Sequence, residues 1–485
     1  MKNGIVFLVT LSVSCAFFYQ LQFSTESIPG YDGYYHIKIA SIIKTQGFIS
    51  EFPWLWHTFW RDHYVDIHFL YHLLLIPFTQ SDLVFGAKIS TVFFFAALIS
   101  VFYFSLKAAR VPRLWAWVII LTIGSTPFLH RMTLPRAPLV ALSFLILGWY
   151  FHAGNRYKSL AVLSILFVWL YGGFTLFIAL IGFLVLSRWF LEGKFDTRIL
   201  LAVASGIACG LITYPYFPEN LNFIITQTFQ AGLHRKVEGG GEWSPYEFRD
   251  LLWANKELVL VFCISLVTFL TSRQKPKQDT LGWCFFMIFC LFVTLNSRRF
   301  IEYLAPTVVI SSALFFRDGW EGWRRKNKIL ETCKSSYLTA LLLLILTIAG
   351  FHQFNATINN IRDSVEPDRY KACALWLKHN TPGSIIYLSD WDDFPELFFH
   401  NSKNKYLIGL DPAFLYEYSE IMYRKWNEIN FGTIKQDPYP IFKQMFKTPF
   451  IFTDIHHGPL SKLLNNHPQI SLKYKDAHCR IYGLD

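Results

Sequence analysis

An aspartate stands in the aromatic, glycine-rich turn Ile28–Pro29–Gly30–Tyr31–Asp32–Gly33–Tyr34–Tyr35–His36, just after an apolar run at the N-terminus. A carboxylate there is placed to accept a proton at the boundary between water and lipid. Tyr35 and His36 offer a ring and an imidazole to whatever molecule binds beside it. The plain alternative is an interfacial turn with a solvent-exposed acid. Further on, Arg61–Asp62–His63–Tyr64–Val65–Asp66–Ile67–His68 is dense in acids and imidazoles. Asp and His are common metal ligands. Asp66 and His68 are therefore candidate ligands for a divalent cation such as magnesium or manganese. A solvated linker explains the stretch equally well.

Positive charge is concentrated at two other points. Arg298–Arg299–Phe300, followed by Glu302–Tyr303, adjoins the end of an apolar run. A planar guanidinium fork clamps phosphate, so Arg298 and Arg299 are candidate phosphate ligands. An Arg299–Glu302 pair on one helix face is the structural alternative. His130, Arg131 and Arg136 form a second basic turn, and Arg131 joins the candidate phosphate set. Finally, Glu238–Gly239–Gly240–Gly241–Glu242–Trp243–Ser244–Pro245–Tyr246 carries three glycines that permit the hinge of a lid. Glu242 is the residue of that loop expected to reach the reacting centre. A merely flexible loop is the other reading.

These side chains hang on a chain that is 53% hydrophobic and only 16% charged over 485 residues, too few polar residues for a soluble surface. Apolar runs at 4–23, 84–106, 114–129, 138–151, 159–170, 174–186, 199–214, 258–271, 281–295, 301–316 and 337–351 predict a polytopic α-helical membrane protein with about eleven spans. The first run is read as a retained helix and not a cleaved signal, because no small-residue cleavage site follows it. The formal charge of +11 resides mostly in short loops, where it sets topology and does not indicate nucleic acid. With the N-terminus inside, the basic loops 107–113, 155–158, 188–198, 273–278 and 317–334 are all cytoplasmic. Counting the short stretch 67–78 as a span would invert them, so it reads as a juxtamembrane helix. The outer face then holds a long first loop 24–83, a second long loop 218–255, the turns 130–136 and 296–299, and everything after 352.

Residues 353–485 read as an extracytoplasmic α/β domain, with 1–352 as the membrane domain. A helix is expected over 368–379, and strands over 384–389, 405–410, 450–454, 470–474 and 479–482, with a helix at 460–465. The acidic loop Asp390–Trp391–Asp392–Asp393–Phe394–Pro395 falls at the C-terminal end of the first strand, where ligands bind in open α/β sheets. Cys373 and Cys479 can pair if this domain faces an oxidising compartment. Cys15, Cys209, Cys263, Cys284 and Cys290 lie in apolar runs, and no Cys/His spacing fits zinc.

The Tyr31–Asp32–Gly33–Tyr34–Tyr35–His36 turn after a first span resembles the first-loop motif of GT-C glycosyltransferases. The likeness is greatest to the catalytic subunits of archaeal and bacterial oligosaccharyltransferases. Protein O-mannosyltransferases and aminoarabinose transferases share the membrane half. The resemblance implies that Asp32 activates the acceptor or helps bind a divalent cation, that Arg299 grips the donor's lipid phosphate, and that Glu242 stands for the acidic residue of the family's mobile loop. It also implies that Trp391 and Asp392 face the acceptor, since Trp391–Asp392 is loosely similar to the Trp-Trp-Asp-Tyr-Gly motif that reads a sequon. Two features depart from the pattern. The second outer loop reads His130–Arg131–Met132–Thr133–Leu134–Pro135–Arg136–Ala137–Pro138, without the family's acidic pair. The Trp-Trp-Asp-Tyr-Gly motif is not intact, so an acceptor other than a sequon asparagine is expected.

The expected activity is therefore inverting transfer of a sugar or oligosaccharide from a polyprenyl-phosphate donor to a glycan, lipid or protein acceptor, on the outer face of a bacterial inner or plasma membrane. No nucleotide-sugar fingerprint is present. A transporter or flippase for lipid-linked glycans is the first alternative, which paired half-repeats would favour. A non-catalytic glycan-assembly protein is the second.

Overall fold

A computed structural model describes residues 2–225, 237, 240–326, 335–362, 366 and 368–485. The membrane half is helical: α1 Lys2–Gln22, α2 Asp32–Gln46, α3 Phe69–Leu75, α4 Leu83–Ala108, α5 Leu114–Ile123, α6 Thr126–Thr133, α7 Pro138–Ala153 and α8 Tyr157–Leu170. It continues with α9 Phe174–Glu192, α10 Thr197–Ile212, α11 Glu219–Ile225, α12 Phe248–Ala254, α13 Lys256–Ser272, α14 Gln278–Asn296, α15 Ile301–Lys326 and α16 Ser335–Arg362.

All eleven apolar runs are helical. Among the described residues, six helices are long and apolar enough to cross a membrane, and eight spans result if α6 with α7 and α12 with α13 are each one bent span. Helices α5, α8 and α10 are apolar but have 10, 14 and 16 residues, short of the ~20 that a bilayer crossing takes. The run 114–129 is not one span. It breaks at Gly124–Ser125, and Ser125 caps α6 by accepting from the Phe128 amide at 3.2 Å. Leu201, Leu260, Leu270 and Phe292 point outward, as lipid-facing residues do. Small residues let helices close on one another: a Cβ at Gly206 of α10 would lie 2.4 Å from the Ala161 carbonyl oxygen of α8.

The C-terminal part is α/β. It contains α17 Lys371–Asn380, β1 Ile385–Leu388, α18 Phe394–His400, β2 Lys405–Tyr406, α19 Ala413–Tyr418, α20 Glu420–Asn430, β3 Phe450–Asp454, α21 Gly458–Asn465, β4 Ile470–Lys475 and β5 Cys479–Leu484. The sheet order is β2-β1-β3-β5-β4. β1 is parallel to both β2 and β3, whereas β5 is antiparallel to β3 and β4. The second expected strand is only Lys405–Tyr406, and the helices α19 and α20 were not anticipated. Cys373 of α17 and Cys479 of β5 are joined in a disulfide.

The first loop and the C-terminal domain are in contact. Leu55 bridges Tyr406 in parallel, and Tyr406 donates its amide to the Trp54 carbonyl at 2.7 Å, so the loop extends the sheet beyond β2. Helix α2 packs on α18, with the Tyr34 and Phe399 rings 5.2 Å apart. The basic connections meet at the far end of α15: Arg317 donates to the Ala109 carbonyl at 3.1 Å and to Asp279 at 2.7 Å.

Candidate active site

Asp32 opens α2, where a carboxylate is favoured by the helix dipole. The next residue must be small. A Cβ at Gly33 would stand 2.6 Å from Ile28 Cγ2 and 3.0 Å from the Pro135 ring. Glycine there lets the turn lie flat against the α6–α7 connection. That connection is sharply bent, by 112°, with Pro138 at the start of α7. Through this contact Arg136 Nη1 reaches Asp32 Oδ2 at 3.0 Å.

Arg136 is the hub of a charge cluster. Its Nη2 lies 3.2 Å from Glu302 Oε1, and its Nη1 lies 3.4 Å from Glu242 Oε2. Arg131, at the end of α6, donates to Glu242 at 2.9 Å and pairs with Glu302. Arg299 Nη1 stands 3.8 Å from Glu242 Oε1, its Nη2 donates to the Tyr171 hydroxyl at 3.4 Å, and its guanidinium lies 4.3 Å above the Trp243 ring. The Gly241–Trp243 turn is pinned to the α14–α15 junction, because Ser297 Oγ donates to the Glu242 carbonyl at 3.2 Å and the Arg298 amide donates to the Ser244 carbonyl at 3.0 Å. Burial alone would raise the Glu242 carboxyl. Arg136, Arg299 and Arg131 outweigh it and hold the group well below the usual carboxylate range.

These groups line a cavity of about 560 Å³ between the membrane helices and the C-terminal domain. Asp32, Tyr35, His36, His68, Arg131, Glu242, Arg299, Trp391 and Asp392 all line it. Trp391 closes one wall, near enough that a Cβ on Gly240 would meet its ring at 3.6 Å. The Asp392 carboxyl is pushed up to about 7, by burial first and then by Asp390.

Three expectations need correction. Arg298 does not line the cavity: it is exposed, donates from Nε to the Pro245 carbonyl at 3.1 Å and lies 5.2 Å over the Tyr246 ring. Consecutive residues of a turn point apart, so only Arg299 turns inward. Glu302 pairs with Arg131 and Arg136 and not, as its spacing suggested, with Arg299. The cation site is not assembled either. Asp66 is 2% exposed; one of its oxygens accepts from His72 Nδ1 at 2.7 Å and the other from the His68 amide at 3.0 Å. Asp32 gives one oxygen to Arg136. Among the described residues, the group that brings three ligand atoms together is Cys373, Asp476 and Cys479, whose sulfurs are spent in the disulfide. Glu238 and Gly239 of the second long loop lie outside the described residues.

Arg136, Glu302, Tyr171 and His72 carry more of the site than their local sequence suggests. The one signal for them is ionisable residues at the ends of apolar runs, which are expensive there unless used.

No family model and no curated protein sequence matches the chain. Solved structures do. The Archaeoglobus fulgidus oligosaccharyltransferase aligns at a TM-score of 0.63 and 13% identity, over 93% of this chain and 69% of its own. ArnT from Cupriavidus metallidurans aligns at 0.61 and 11%, over 99% of this chain and 98% of its own. The chain has a GT-C-like membrane fold. The mycobacterial arabinofuranosyltransferase AftD aligns at 0.58 and 9%, over 98% of this chain and 40% of its own. At such identities the likeness is one of fold, and the chemistry rests on the residues above.

Proposed function

We propose that the protein is a membrane glycosyltransferase that moves a sugar from a polyprenyl-phosphate donor to an acceptor hydroxyl, with inversion. The observation that carries this reading is the convergence of Arg131, Arg136 and Arg299 on one carboxylate, Glu242, inside a cavity walled by aromatic rings. An anion of carboxylate size already sits where three guanidiniums meet, and a phosphate suits the same forks. The A. fulgidus enzyme has been seen with a dolichol-phosphate and C. metallidurans ArnT with undecaprenyl phosphate, which supports a lipid phosphate here.

In this scheme the guanidiniums neutralise charge that grows on the phosphate oxygen as the sugar C1–O bond breaks. The acceptor oxygen attacks C1 from the opposite side, which inverts it. Asp32, with one oxygen on Arg136, presents the other to the acceptor hydroxyl and orients it. Positive charge at the phosphate comes from arginine, and no step is assigned to a cation because Asp32, Asp66 and His68 do not form a ligand set. Trp391, Trp243, Trp60 and Tyr31 supply flat faces of the kind that pack on sugar rings, with Asp392 and Asp411 beside them as hydrogen-bond acceptors. The basic loops favour an outward-facing site.

Undecaprenyl phosphate titrated into the purified protein in nanodiscs is expected to bind, and Arg136→Gln with Arg299→Gln to abolish the binding. Glycans of cells lacking the protein should differ from wild type and match those of cells carrying the double variant. Normal glycans in the double variant, with altered glycans in the deletion, would overturn the proposal.

A further inference from the structure

The three carboxylates of the arginine cluster, Asp32, Glu242 and Glu302, are each paired with a guanidinium. Glu242 is held ionised by three guanidiniums, and Asp32 shares its charge with Arg136. A hydroxyl acceptor still has to lose a proton. A different chain of groups reaches the same cavity from behind. Asp66 Oδ2 accepts from His72 Nδ1 at 2.7 Å, and His72 Nε2 lies 2.8 Å from His36 Nδ1. Asp66, His72 and His36 are 2%, 0% and 4% exposed, so water does not compete for these bonds. Asp66 is held in turn by the His68 amide on Oδ1, and its backbone carbonyl accepts from the Tyr214 hydroxyl.

The order of donors in this chain follows from its end. A carboxylate only accepts, so His72 carries its proton on Nδ1. Its Nε2 is then a lone pair, and the 2.8 Å contact requires His36 to donate from Nδ1. His36 Nε2 is left as a lone pair, on a ring that lines the cavity with Asp32 and Arg136. The geometry points to His36 Nε2 as the group that takes the acceptor's proton, with Asp66 and His72 as positioning residues that fix its tautomer. The inference rests on the transferase reading. The acceptor O–H proton passes to His36 Nε2, the acceptor oxygen forms the new bond to C1, and the C1–O pair leaves with the polyprenyl phosphate. The imidazolium formed is offset by Asp66 through His72, and its proton returns to water after product leaves.

The surroundings of His36 tie this step to donor binding. Its ring faces His68 at 4.9 Å, Tyr71 at 5.3 Å, His72 at 5.1 Å and Tyr35 at 5.3 Å. Burial, then His68, His72 and Arg136, keep the empty-site imidazole neutral, well below the usual histidine range. A phosphate arriving on Arg136 cancels part of that guanidinium's field and strengthens the base only when a donor is present.

The test begins with imidazole ¹⁵N NMR on the full-length protein in nanodiscs, using His36→Gln to assign the signal. His36 is expected to show a protonated Nδ1 and a bare Nε2. In Asp66→Asn the amide oxygen stays on the His68 amide and its NH₂ faces His72 Nδ1, which reverses both tautomers and protonates His36 Nε2. A protonated His36 Nε2 in the wild type overturns the inference. The second arm measures the initial rate of glycan labelling in membranes of the complemented deletion strain. His36→Gln and the isosteric Asp66→Asn should each lower it by about 10²–10⁴-fold and remove the limb of the pH–rate profile set by His36, with undecaprenyl phosphate affinity changed by less than about threefold. Asp66→Asn carries this arm alone if His36→Gln does not fold. Wild-type rates in either folded variant overturn the inference. Failure of the wild type to bind undecaprenyl phosphate defeats the transferase reading instead and leaves the tautomer result standing on its own.

Discussion

Arg136 Nη1 lies 3.0 Å from Asp32 Oδ2, across 104 residues of sequence. The contact joins the first long loop to the α6–α7 bend, and in the proposed scheme one guanidinium then serves both the phosphate end and the acceptor end of the cavity. Arg136→Gln is therefore expected to weaken undecaprenyl phosphate binding by about 10–100-fold, the ~1.5–3 kcal/mol of a charged hydrogen bond. Isothermal titration in nanodiscs measures it.

Arg298 and Arg299 should behave differently although they are adjacent. Arg299→Gln is expected to cost about tenfold or more in the same titration. Arg298→Gln should change affinity by less than about twofold, because its side chain lies on the Tyr246 ring outside the cavity.

In the proposed scheme Glu242 stands where the donor phosphate would bind. Glu242→Gln removes the competing charge and frees Arg131 and Arg299. Affinity for undecaprenyl phosphate should rise by about three- to tenfold, and weaker binding in this variant would make Glu242 a donor ligand and not a placeholder.

Asp392 gives the C-terminal domain a pH dependence of known sign. Its carboxyl is raised from 3.8 to about 7, by burial and then Asp390, so between these values the folded state holds a proton that the unfolded chain has lost. Stability is then greatest below about 4 for this group and falls as pH rises towards about 7. Asp454 acts in the opposite sense, since the His457 bond lowers its carboxyl against the effect of burial. Thermal melts across this range should show the decline, and Asp392→Asn should flatten it.

The Cys373–Cys479 bond closes a separation of 106 residues and ties α17 to the strand at the centre of the antiparallel half. Replacing both cysteines with serine is expected to lower stability by roughly 2–4 kcal/mol. Melts of wild type with and without reductant should reproduce the same loss.

Local sequence determined what local physics governs. A window of about twenty apolar residues carries its own reason to be helical in lipid, so the apolar runs are helical, the run 114–129 as two helices. The β-branched run around Ile385–Leu388 and the aromatic, β-branched run Phe450–Asp454 likewise name their strands. The glycine of the Asp32–Gly33 pair was visible, but not its close approach to the Pro135 ring, which lies about a hundred residues away. Which arginine faces inward, which acid each one meets, and that Asp66 is locked to His72 instead of free for a cation were decided by packing. Ion pairs are set by the approach of separate helices and loops, and charged side chains carry no periodic signal of their partners. The sequence alone grouped the candidate residues in loops expected on one side of the membrane. Only the docking of the first loop onto the edge of β2 made them line a single cavity.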